Sequence, residues 1–98
     1  MKLEVIWSPQ AGKSLDRLVE FLEQKWPEKV IEDLLQEVDS AINAISRQPL
    51  MYPYLSQKKE VHKCVIKRKT LLLYRIFSSH VELLKFVDSR QNPSKYRI

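Results

Sequence analysis

Ninety-eight residues, 44% of them hydrophobic, suffice for one domain with one modest core, and no apolar run approaches the about 18–20 residues of a membrane span. Cys64 is the only cysteine, which excludes an intrachain disulfide and a cysteine-based metal cluster; with only His62 and His80 beside it, a zinc site is argued against as well. The lone glycine, Gly12, excludes a Walker loop and a dinucleotide fingerprint, since both need several glycines for close backbone approach to phosphate.

The net charge of +5 is unevenly divided. Residues 58–98 carry eleven Lys and Arg against three acids, a net +8, whereas residues 1–57 carry six against nine, a net −3. A field of one sign over less than half of a small domain costs self-repulsion, which points to an anionic partner, either nucleic acid or an acidic protein segment. A solvated face that keeps the protein soluble is the plainer alternative. The opening stretch Met1–Trp7 is too short for a signal peptide and ends at Ser8-Pro9, so the expected setting is reducing and cytoplasmic.

In chain order, Leu3, Val5 and Trp7 alternate with polar neighbours as a short first strand. Ser8-Pro9 starts a helix: the serine hydroxyl can accept an orphan N–H, and proline suits the first helical position. Ala11, Leu15, Leu18, Val19 and Leu22 form its apolar stripe, and Pro27 breaks and restarts the helix. Val30, Ile31, Leu34, Leu35, Val38, Ala41, Ile42 and Ile45 then give the strongest helical periodicity in the chain, stopped by Gln48-Pro49. Two helices with a tight joint predict an antiparallel hairpin packed on a sheet.

Residues 49–57 read as an irregular aromatic connector, followed by strands from Val61 to Lys67, Thr70 to Phe77 and His80 to Val87. The connections Lys67-Arg68-Lys69 and Ser78-Ser79 are short enough for an antiparallel meander. The expected fold is α+β in the order β-α-α-β-β-β: one domain over 1–98, a helical hairpin on one face of a small antiparallel sheet. The basic residues fall on the other sheet face and at the strand ends.

This element order resembles the ParE/RelE superfamily of type II toxins. The residues that carry the likeness are Val5-Ile6-Trp7 with Ser8-Pro9 and Ala11, Leu72-Leu73-Tyr74-Arg75-Ile76, and the terminal Asp88-Ser89-Arg90-Gln91-Asn92-Pro93. The resemblance implies a growth-inhibiting toxin of the plasmid-stabilisation type, held by a co-expressed cognate antitoxin as a hetero-oligomer and needing no cofactor. Its target would be DNA gyrase in the ParE branch, or messenger RNA on the ribosome in the RelE branch.

Metal-independent RNA cleavage needs a base, an acid and cations for the charged phosphorane. By resemblance to RelE-like nucleases, Lys63, Lys67, Arg90 and Tyr96 are the candidates for these roles. Arg90 alternatively pairs with Asp88, and Tyr96 alternatively packs a tail. One departure counts against cleavage: Leu71 stands where RelE-like enzymes carry an arginine. Arg75 shares its parity but lies about 13 Å further along the strand.

For binding an antitoxin or target, the candidates are Lys63, Lys67, Arg68, Lys69, Arg75 and Arg90, with Lys63, Val65 and Lys67 assigned to one sheet face opposite Cys64 and Ile66. His62 reads as an inward-facing edge residue with chemistry as its alternative, His80 as a solvated turn residue, and Cys64 as a small core hydrophobe. Tyr52 and Tyr54 either stack bases or pin the connector to the core. Three functions stay open: a ParE-like toxin that binds a protein target, a RelE-like endoribonuclease, and a non-toxic basic binding module. No motif marks a DNA-reading helix.

Overall fold

Ser8 acts as its chemistry dictates. Its Oγ accepts the Ala11 N–H at 3.0 Å, and its hydroxyl donates to the Leu84 carbonyl at 3.1 Å, so one side chain caps the first helix and fastens it to the last strand. The computed structural model describes residues 2–91. In chain order they form β1 (Glu4–Trp7), α1 (Pro9–Glu23), α2 (Glu28–Arg47), a 3₁₀ turn at Pro49–Met51, β2 (Tyr54–Ser56), β3 (Val61–Ile66), β4 (Thr70–Ile76) and β5 (His80–Asp88). The strands lie in the order β1-β5-β4-β3-β2, with the helical hairpin on one face.

The apolar stripes explain the layering. Leu18 and Leu22 of α1 and Ile31, Leu34, Val38 and Ile45 of α2 are buried against Cys64, Ile66, Leu72, Tyr74, Val81, Leu83 and Phe86 of the sheet. Val30 and Ile42 are half-buried at the edge of this stripe. Leu34 is 3% exposed, so Leu34→Ala is expected to cost about 2–5 kcal/mol, read as a lowered unfolding midpoint.

The strand pairing assigns the faces. His62↔Tyr74, Cys64↔Leu72 and Ile66↔Thr70 place one set of side chains under the helices, while Lys63↔Leu73 and Val65↔Leu71 belong to the open face. In β5 the register shifts by one residue, since Leu73 pairs with Lys85 but Tyr74 with Leu83, leaving Leu84 as the extra residue of a bulge. The bulge lets Leu83, Phe86 and Asp88 all face the helix side. On the open face Val61, Leu73 and Val87 form a second buried cluster with Leu55, Leu71 and Leu84 packed around it.

The architecture is the expected α+β arrangement with two refinements. The sheet is mixed, because β1 runs parallel to β5. The connector also contributes an edge strand, β2, which three residues are too few to reveal as an alternation. It is set by its surroundings: Lys63 N–H donates to the Pro53 carbonyl at 2.9 Å, and the Tyr74 hydroxyl donates to the Pro49 carbonyl at 2.6 Å. No helix among the described residues is long and apolar enough to cross a membrane.

Candidate functional site

The end of the sheet where β3 meets β4 and β5 terminates gathers most of the candidate residues. Thr70 and Asp88 are register partners there, and both are fully buried. The Thr70 hydroxyl donates to Asp88 Oδ2 at 2.6 Å. Arg90 donates three times to the same carboxylate: its backbone N–H and Nε to Oδ1 at 2.9 and 2.8 Å, and its Nη2 to Oδ2 at 2.7 Å. This is a bidentate pair closed by a backbone bond, the geometry in which a guanidinium and a carboxylate hold each other most firmly. Burial pushes the Asp88 carboxyl up, but the hydrogen bonds from Arg90 and Thr70 outweigh it and leave its pKa below the usual carboxylate value. The Arg90 Cζ also stands 5.8 Å from the centroid of the Trp26 ring, so the guanidinium links the sheet to the joint between α1 and α2. Of the two readings of Arg90, the structure realises the pairing with Asp88.

Beside this clamp stands the β3–β4 turn. Lys67 and Arg68 have φ of 52° and 68°, both in the left-handed region. Tight hairpins ask for such values at their central residues, and Asn-Gly ordinarily supplies them. Two side chains with Cβ and no local amide to compensate hold this conformation at a cost of about 1–2 kcal/mol each. Lys67, Arg68 and Lys69 are all exposed, and no ion pair among the described residues engages them. The backbone beneath them is fastened: Ser89 N–H donates to the Lys69 carbonyl at 2.7 Å.

Lys67 therefore does not share the strand face of Lys63 and Val65. β3 ends at Ile66, because the positive φ of Lys67 turns the chain out of the ladder. Lys63 and Val65 do lie on the open face, where Leu71 is paired with Val65 on one side and Val87 on the other. Leu71 thus packs into the apolar cluster of the open face. Arg75, further along β4, donates from Nη2 to the Lys59 carbonyl at 3.0 Å. Tyr96 lies outside the described residues.

The remaining candidates are built into the connector contact. His62 is 4% exposed, with its Nδ1–H donating to the Tyr52 carbonyl at 2.9 Å. Its ring lies between Tyr54 at 4.2 Å and Tyr74 at 5.2 Å. Tyr54 accordingly stacks on a histidine of its own chain. Burial raises the Cys64 thiol and holds the Tyr74 phenol far above its usual range, so neither is a ready proton donor or nucleophile. His80 opens β5 and stacks on Phe77 at 4.8 Å rather than standing free in a turn. A cavity of about 620 Å³ lies between β1 and α2 along Leu3, Val5, Ile42 and Ser46, away from every one of these residues. Trp26 is the site neighbour that sequence pattern alone does not bring to Arg90, since the contact joins the helical joint to the end of β5.

Solved structures share this fold at low sequence identity. The chromosomal ParDE toxin–antitoxin system from P. aeruginosa superimposes with a TM-score of 0.71 at 14% identity, covering 89% of this chain and 96% of that one. The toxin–antitoxin complex RelBE2 from Mycobacterium tuberculosis gives 0.59 at 22% identity, covering 90% and 99%. The YoeB-YefM complex from Staphylococcus aureus gives 0.57 at 15% identity, covering 88% and 95%. No curated protein sequence matches the chain. At the level of sequence families, residues 5–93 match the ParE toxin of the type II toxin–antitoxin system, parDE. The chain belongs to that family and is a toxin of the type II toxin–antitoxin class.

Proposed function

We propose that this toxin inhibits growth by binding a protein target, of which DNA gyrase is the ParE-type example, and that a cognate antitoxin neutralises it. The observation that carries this reading is the engagement of Arg90. Its guanidinium is closed onto Asp88, and Leu71 occupies the apolar cluster on β4, so neither position offers a cation to a scissile phosphate. Such a donor is worth roughly 3–4 kcal/mol in a transition state, and a site lacking it cuts RNA poorly.

The antitoxin reading rests on charge. Lys63, Lys67, Arg68 and Lys69 are not engaged by acids among the described residues, and Arg75 bonds only a carbonyl, which suits an acidic antitoxin segment that orders on binding. Induced expression with and without the antitoxin gene, scoring growth, DNA supercoiling and messenger integrity, tests both parts. Growth arrest with altered supercoiling and intact messenger supports the proposal. Messenger fragments that vanish in Arg90→Lys would replace it with ribosome-dependent cleavage.

A further inference from the structure

β3 outruns its edge partner. β2 pairs only with His62 and Val61, through Tyr54 and Ser56, whereas β3 continues to Ile66. The last bond between β3 and the connector runs from the Lys63 N–H to the Pro53 carbonyl. In an antiparallel ladder such a pair would exchange a second bond, from the facing N–H to the Lys63 carbonyl, but proline has no N–H to give. Val65 points its N–H and carbonyl to the same side as Lys63, while β4 takes those of the alternate residues. Among the described residues no hydrogen bond outside the ladders reaches the Lys63 carbonyl or either Val65 group.

We infer that this open stretch of β3 is a docking edge for an extended, acidic protein segment, which adds to the sheet as a further strand. Unpaired backbone donors and acceptors on an edge are completed by another extended chain, not by a helix, whose own backbone is already bonded. Room for such a chain exists. A cleft of about 300 Å³ lies between Ser40, Ala41 and Ala44 of α2 and Val65, Ile66 and Lys67 at the end of β3. The short side chains of α2 leave the space that alternate side chains of an incoming strand would fill. On the other face of the sheet the same segment would lie beside Val65, which is 55% exposed.

Charge selects the occupant. Lys63 and Lys67 bracket the open stretch, Arg68 and Lys69 follow, and none of the four is in an ion pair among the described residues. Against them, Glu37 is the one acid on the cleft lining among the described residues. A second copy of the chain fits poorly: pairing β3 with itself about Val65 would set Lys63 of each copy against Lys67 of the other, and like charges directly opposite are destabilising. Lysines on an open edge thus guard against self-association while leaving it available to an acidic chain. The inference deepens the antitoxin half of the proposed function and rests on that reading only for the source of the segment.

The test is a heteronuclear NMR titration of the purified chain with an end-blocked peptide of six residues alternating valine and glutamate. A saturable shift of the Val65 amide is expected, with its hydrogen exchange slowed by about tenfold or more. The same peptide with its backbone nitrogens methylated should bind about tenfold more weakly or worse, since it keeps the side chains and loses the donors. Lys63→Glu and Lys67→Glu should each weaken binding by about fivefold or more, and Lys2→Glu, the same charge change beside β1 at the opposite edge of the sheet, by less than about twofold. The titration needs no antitoxin, so its failure is separable from failure of the antitoxin reading. Equal binding by the methylated peptide, saturation that leaves the Val65 amide unmoved, or no saturation at all would overturn the assignment. So would a chain that is dimeric by sedimentation with Val65 already protected, because a second copy would then hold the edge.

Discussion

Two basic regions sit side by side at one end of the sheet and behave in opposite ways. At the end of β5, Arg90 is bound to a fully buried carboxylate, a threonine hydroxyl completes the set, and its guanidinium rests near an aromatic ring. At the β3–β4 turn, Lys67, Arg68 and Lys69 face solvent without ion-pair partners among the described residues, the first two on a backbone held in the left-handed region. One cation stabilises the fold, whereas two sit on strained backbone. Charge count does not distinguish these regions; only geometry separates a cation that serves the fold from one left available to a partner.

The sharpest way to break this comparison is to truncate the engaged cation. Arg90→Ala would leave Asp88 charged, buried and unpaired, a defect that costs about 3–5 kcal/mol, measured by urea unfolding. Its effect on growth inhibition would then mix lost stability with lost contact, so Arg90→Ala alone does not report on target binding. Arg90→Lys keeps the charge but loses the fork, and should cost less.

Acid should reach the clamp as well. The folded pKa of Asp88 lies below its unfolded value, so its contribution is fully present above about pH 4 and is lost as pH falls from there through the folded pKa. Stability measured from pH 6 down to pH 2 should fall in that window, and Asp88→Asn should flatten part of the fall. An unchanged profile in Asp88→Asn would assign the acid sensitivity elsewhere.

The turn should respond in the other direction. Lys67→Gly or Arg68→Gly removes the Cβ from a left-handed residue at the cost of a looser unfolded chain, a net gain of about 0.5–1 kcal/mol each, seen as a raised unfolding midpoint. Reversing Lys67, Arg68 and Lys69 to Glu should change stability by only about 0.5 kcal/mol, but should slow antitoxin association and weaken its salt dependence. A turn that is stabilised by glycine yet indifferent to charge reversal in binding would be a strained loop and nothing more.

The helical hairpin and the meander were legible because their signals are periodic. Ser8-Pro9, Pro27 and the Leu34–Ile45 stripe state the helices, and the alternation around Cys64 and Leu72 states the strands. β2 escaped because three residues carry no period and its pairing comes from β3. Lys67 was misplaced because a lysine continues a polar–apolar alternation whether or not its φ is positive. The site was legible in part: the pairing of Arg90 with Asp88 is one of the two readings that the sequence offers, but nothing in their two-residue spacing reveals a buried carboxylate with four incoming donors.

A double-mutant cycle on Asp88 and Arg90 tests most directly whether Arg90 belongs to the fold. Asp88→Ala, Arg90→Ala and the combined variant, unfolded in urea under one set of conditions, should give a coupling energy of about 2–3 kcal/mol, with the double variant more stable than the two single losses would sum to. Additivity within about 0.5 kcal/mol would contradict the account, because it would mean that Arg90 is not held by Asp88 and is free to meet a phosphate.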